Sequence, residues 1–207
     1  MGRIWSGLHP PALGGGEAVE VAGSVSVSGR RRLAKLLVIV ALAASSLAIG
    51  SAANAWVTTT CHFPSTSIRY DAWSYYSETV SSANSWNSGT DVTLSAFSGS
   101  TPKITLQGYT GSAGIWGYMS VPSCSSGHWT GNPFIGVNHY YMSDASTNSR
   151  RNTITHEMGH ALGVGHVSTS CGYGWNRGIM HPTKASYTTC GWYTPQDDDK
   201  GGVNARY

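Results

Sequence analysis

Three patterns of apolar and polar positions alternate along this chain, and each predicts a different kind of element. Residues 36–50 are almost continuously apolar. Residues 67–70 form a short strand-like run. Apolar or aromatic residues then fall at 72, 73, 76, 80, 83 and 86, a spacing near 3.6 that predicts an amphipathic helix over 72–86. Residues 91–97 (D-V-T-L-S-A-F) and Lys103–Tyr109 alternate polar with apolar, as half-buried strands do. Between 110 and 132 Gly, Ser and Pro dominate, which predicts an irregular loop anchored by Trp116, Cys124 and Trp129 with a strand near 117–121. Phe134–Asn138 reads as a further strand. A helix is predicted over 150–162, with Asn148 or Ser149 as its N-cap, and a last one over 195–207. Gln196 and the three aspartates 197–199 lie at the start of that last helix, where the dipole favours negative charge.

The N-terminal part follows other rules. Residues 1–29 are rich in Gly, Ser, Val and Ala without helical period and read as a disordered leader. Arg30-Arg31-Arg32-Leu33-Ala34-Lys35, the apolar run and the closing Ala53-Asn54-Ala55 reproduce the order of a secretory signal peptide over 30–55. Cleavage after Ala55 would leave Trp56 as the mature N-terminus. The rival reading is an uncleaved anchor, but about fifteen apolar residues are short for a membrane span. The arginines loosely resemble a twin-arginine signal, whereas the apolar h-region favours general secretion.

Charge adds one exclusion. The 207 residues carry a formal +3, and all of it resides in residues 1–55, where five basic side chains face two acidic ones. From Trp56 onward eight bases balance eight acids, so no basic stripe for nucleic acid is expected.

All four cysteines, Cys61, Cys124, Cys171 and Cys190, follow the signal segment. An even count in an exported domain predicts two disulfides, in one of three pairings. Cys171–Cys190 is favoured because it would staple the loop containing Met180, leaving Cys61–Cys124. No C-x₂₋₄-C spacing supports a cysteine metal site.

The densest chemistry is His156-Glu157-Met158-Gly159-His160-Ala161-Leu162-Gly163-Val164-Gly165-His166. Histidines four residues apart share one side of a helix, one turn above the other, so a single Zn²⁺ could be bound by both. Glu157 lies about 100° round the helix. It borders such an ion without being a natural ligand, which suits a general base. Gly163 can take a positive φ, end the helix and let the chain return His166 as a third ligand. Three protein ligands leave a fourth position open, the mark of a catalytic zinc.

H-E-x-x-H-x-x-G-x-x-H followed by a Met-turn is the metzincin signature. Gly178-Ile179-Met180-His181-Pro182 supplies the Met-turn candidate, and Pro182, where astacins and serralysins carry a Tyr, resembles the matrixins. Asp198-Asp199-x-x-Gly202-Val203-x-x-x-Tyr207 is similar to the matrixin closing helix. The motif resemblance covers residues 156–207; upstream only the order of elements agrees. It implies an α+β zincin/metzincin-like single domain over 56–207: a twisted mixed sheet, an active-site helix, a Met-turn and a C-terminal helix.

The resemblance also implies roles. His156, His160 and His166 would hold one catalytic Zn²⁺, and Glu157 would act as general base. Met180 would form an apolar floor beneath the histidines, and Pro182 would begin the wall of the primed-side pocket. Asp198 and Asp199 would tie the last helix to the Met-turn and to the α-ammonium of Trp56, although simple dipole charge also accounts for them. Val167 stands where vertebrate matrixins usually carry Ser. His128, His139 and Asp144 are too poor in hard oxygen ligands to predict a structural Ca²⁺. His62, His128, His139 and His181 read as surface or hydrogen-bonded histidines. Trp56 leads into the first strand within about ten residues, an ordinary connection length, so no cysteine-switch pro-domain is expected.

The expected protein is a secreted, monomeric zinc endopeptidase acting on protein or peptide substrates, without nucleic acid or lasting membrane attachment. The alternatives are a zinc-binding or adhesive module without turnover and a hydrolase of cell-wall peptides. Intact-mass analysis of the exported protein should find Trp56 as its first residue; a retained 30–55 segment would contradict the signal-peptide reading.

Overall fold

A computed structural model describes residues 59–97, 103–111, 114–167, 171 and 177–207. The leader, the signal segment and Trp56 lie outside these residues. Alternation along the strands builds a five-stranded sheet from β1 (Ser67–Ala72), β2 (Thr93–Ala96), β3 (Lys103–Tyr109), β4 (Gly117–Ser120) and β7 (Phe134–Asn138). Its order is β2-β1-β3-β7-β4. The first three pairings are parallel, and β4 closes the edge antiparallel to β7, with Gly117 opposite Val137 and Ser120 opposite Phe134. A mixed sheet with helices makes the domain α+β. Two-residue strands β5 (Cys124–Ser125) and β6 (His128–Trp129) form a separate ribbon within the segment expected to be irregular.

One face of the sheet is apolar. Ile68, Tyr70, Leu94, Ile104, Leu106, Ile135 and Val137 are all buried. They belong to the same core as Ala83 and Trp86 of helix α1 (Tyr76–Asn87) and Ile154, Met158 and Ala161 of helix α3 (Thr147–Ala161). Burying such side chains contributes roughly 1.5–3 kcal/mol each, the main favourable term of the fold.

Helix α1 departs from its predicted span and face. Ala72 ends β1, paired with Leu106, and Tyr75 takes a positive φ of 51°, so the helix starts at Tyr76. Trp73 and Tyr76 are exposed, while the buried face runs through Thr79, Ser82, Ala83 and Trp86. Small polar residues win that face because they admit close packing and answer α3 directly: Thr155 Oγ1 donates to Ser82 Oγ at 2.9 Å.

Helix α3 begins earlier than the sequence predicts, because Ser146 caps it by accepting a hydrogen bond from the Ser149 N–H. It carries almost no hydrophobic stripe yet is buried from residue 152 to 159. Its polar side chains are therefore satisfied internally: Asn152 donates to Ser186 Oγ and to the Trp192 carbonyl, at 3.0 and 2.9 Å. Two short helices, α2 (His139–Met142) and α4 (Ala185–Thr188), were hidden from periodicity by their length. The last helix, α5, spans Asp197–Asn204 and is shorter than expected; Gln196 is its N-cap in a capping box with Asp199.

Disulfides join Cys61 to Cys124 and Cys171 to Cys190. No helix among the described residues is long and apolar enough to cross a membrane.

The Trp129 indole donates to the Ala161 carbonyl at 2.9 Å, answering the last carbonyl of α3. Trp129→Phe should therefore lower the unfolding free energy by about 1–3 kcal/mol, read as a reduced denaturant midpoint.

Candidate metal centre

Helix α3 carries His156 and His160 on adjacent turns, and the chain leaves it through Leu162 and Gly163. Gly163 has φ 91°, and a Cβ there would stand 2.9 Å from the Cys61 carbonyl oxygen. Only glycine suits this turn, and the turn brings His166 back over the helix. The three Nε2 atoms converge: 3.0 Å from His156 to His160, 3.0 Å from His160 to His166 and 3.3 Å from His156 to His166. Among the described residues this is the cluster of three that could hold a metal ion.

The backbone sets how the rings face. His156 Nδ1 lies 2.9 Å from the Ile179 carbonyl and His160 Nδ1 2.9 Å from the Val164 carbonyl. A carbonyl only accepts, so each Nδ1 carries the proton and each Nε2 turns a lone pair to the centre. Burial, reinforced by the neighbouring imidazoles, holds His156 well below the usual histidine range and His160 at about 4. His166 is lowered too, first by burial and then by His181. All three are thus neutral near pH 7, the state in which imidazole binds metal.

The segment 178–182 is held from the far side by helix α5. Asp199, buried, accepts from the N–H groups of Ile179 at 2.7 Å, Met180 at 3.3 Å and Gln196 at 2.7 Å. Asp198 accepts from the Arg177 N–H. Ile179 in turn receives the His156 ring, so a carboxylate on α5 orients an imidazole on α3 through one peptide unit. Met180 is wholly buried with its sulfur against Gly159, where any Cβ would overlap it. Val167 N–H donates to the Met180 carbonyl at 3.0 Å, joining the segment after His166 to the same turn. Pro182 is half-buried two residues beyond Met180.

Glu157 is fully buried, and neither carboxylate oxygen has a hydrogen-bond partner among the described residues. Desolvation pushes its pKa well above the usual carboxylate range, and Lys184 opposes that shift. The backbone of β4 packs beside it: a Cβ on Gly117 would lie 3.3 Å from Glu157 Cγ and 2.9 Å from Thr153 Cγ2. Lys184, Gly117 and Gly159 were not foreseen from the sequence. Their importance comes from contacts across the fold, which no local spacing reports.

The remaining histidines among the described residues have other partners. His62 packs edge-on to His128 and Tyr207, with ring centroids 4.8 and 5.0 Å away. His139 Nδ1 pairs with the Tyr75 hydroxyl at 2.7 Å, and His181 Nδ1 accepts from the Thr183 N–H at 3.1 Å.

No family model matches the chain, and no curated protein matches it. Among solved structures it is similar to the GM1-bound form of the ECX AB5 holotoxin (TM-score 0.50, 14% identity, covering 73% of this chain and 84% of that one). A structure of myroilysin gives TM-score 0.48 at 16% identity, over 72% and 82% of the two chains. The first likeness bears on the fold alone, and the second carries no weight here.

Unfolded histidine titrates near pH 6.5, whereas folded His160 does so at about 4. Between those values the unfolded chain binds more protons, so stability rises with pH. The metal-free protein should be fully stabilised by its neutral histidines above pH 6.5 and lose that contribution as pH falls toward 4. NMR titration of the imidazole rings in chelator would read this directly, because Asp199 and Glu157, raised by burial, act on overall stability in the opposite sense over this range. A His160 ring protonating near pH 6.5 would contradict its burial.

Proposed function

We propose that the chain is an exported zinc endopeptidase of matrixin-like, metzincin type, with residues 56–207 as the peptidase domain behind a signal peptide at 30–55. The observation that carries this reading is the meeting of three Nε2 atoms next to Glu157, a buried carboxylate with no hydrogen-bond partner among the described residues. Zinc–imidazole bonds of about 2.0–2.1 Å in a tetrahedron place neighbouring nitrogens roughly 3.3–3.4 Å apart. The edges of 3.0–3.3 Å lie close to that donor set. Three imidazoles with no thiolate suit a borderline ion such as zinc and leave a position for water.

When bound, zinc supplies a Lewis acid that brings the pKa of water to about 7 and polarises a carbonyl. The chain supplies the rest. In peptide hydrolysis the water oxygen bonds to the carbonyl carbon, the C–N bond breaks and the departing nitrogen needs a proton. Glu157 takes the water's proton on a carboxylate oxygen and returns it to that nitrogen. Its desolvation suits both halves of this task, since a carboxylate with a raised pKa accepts a proton readily and still releases it to an amine. Met180 closes the space beneath the imidazoles with an apolar group, and Pro182 borders the side on which the leaving segment lies. Asp198 and Asp199 hold the Met-turn in register with α3. The two disulfides agree with an oxidising destination.

Wild type and Glu157→Ala should bind one zinc each, while the variant loses peptide cleavage by about 10²–10⁴-fold or more. Zinc content and cleavage of a peptide library, measured on both, decide the matter. Equal absence of cleavage with zinc bound would favour a module without turnover.

A further inference from the structure

Among the described residues Lys184 is the one buried lysine, 8% exposed, and the peptidase reading gives it no task. Its ammonium is clamped at three points. Nζ donates to the Ser149 carbonyl and to Thr153 Oγ1, both at 2.6 Å, and lies 4.5 Å from the centre of the Trp116 ring. All three partners are neutral, and among the described residues no carboxylate stands within ion-pair distance of it. Ser149, Thr153 and Glu157 follow one another at four-residue intervals, so they occupy a single face of α3. The clamp therefore fixes a positive charge one turn before Glu157 on that face.

Glu157 shows the complementary situation. Its carboxylate is fully buried and has no hydrogen-bond partner among the described residues. Nζ holds Thr153 Oγ1, and Thr153 Cγ2 and Glu157 Cγ both border the space in front of Gly117, so the ammonium and the carboxylate lie along one strip of α3. Trp116 and Tyr187 cover the ammonium. A buried charge without a counter-charge is costly: burial lowers Lys184 to about 7 and raises Glu157, and each shift is opposed by the charge of the other.

We infer that Lys184 is a positioning residue for the reaction. Its clamped ammonium draws the Glu157 carboxylate along the α3 face and keeps it beside the histidine cluster without letting it become a fourth ligand. The carboxylate is then pulled from two sides, by the ion held on the histidines and by the ammonium one turn away. The inference rests on the zinc-peptidase reading for its catalytic half and on the coordinates alone for the pairing of the two side chains.

The test uses the exported, zinc-loaded protein and the variants Lys184→Met, Glu157→Gln and their combination. Methionine keeps the length and volume of the lysine stem and removes only the charge and its donors. Lys184→Met should retain its zinc, keep KM within about twofold and lose at least about tenfold in kcat, the signature of an interaction used beyond the ground state. Urea midpoints supply a second reading that needs no activity: the double variant should be more stable than the sum of the two single shifts requires. A Lys184→Met protein with kcat within about twofold of wild type, or two substitutions that simply add, would overturn the inference. Wild-type protein that binds zinc yet cleaves nothing would sink the peptidase reading instead, and the unfolding cycle would still decide whether Lys184 and Glu157 act as a pair.

Discussion

Three imidazole nitrogens crowd into one small volume, and the rest of the domain is arranged to hold them there. No single element could do this. His156 and His160 come from α3, His166 from the segment beyond Gly163, and the peptide groups that aim the first two rings belong to Ile179 and Val164. Asp199 completes the brace by binding the amides of Ile179 and Met180 from helix α5. The cluster is preorganised because its supports belong to four different stretches of chain. A shift in any one of them meets resistance from the others.

This arrangement explains an odd property of α3. A helix with so few apolar residues would normally lie at the surface, yet this one runs through the interior. It can do so because neighbouring elements answer its polar groups: Ser82 for Thr155, Ser186 and Trp192 for Asn152, Trp86 and Trp129 for the Thr155 and Ala161 carbonyls. The hydrophobic contribution comes from those neighbours, so α3 is free to be written in histidines, a carboxylate and hydroxyls.

The same contrast marks what could be read from the chain alone. Strict alternation located Lys103–Tyr109, because a half-buried strand leaves a period of two that no other element mimics. The histidine spacing was legible for a related reason, since a helical turn fixes where the fourth residue on must point. The stripe read through Trp73 and Tyr76 misled, because bulky aromatics weigh heavily in a periodicity argument while close helix packing selected Ser82 and Ala83. Lys184 was invisible. A lysine four residues after Met180 looks like a solvated charge until the strand and helix that enclose it are both in place.

The attachment of residues 59–61 has a practical corollary. The Thr59 amide donates to the Gly163 carbonyl at 2.8 Å, and Cys61 is bonded to Cys124 immediately after. That short length of chain is a strut beneath the turn that delivers His166. Removing Thr59 would take its amide from the Gly163 carbonyl and loosen the third imidazole from behind.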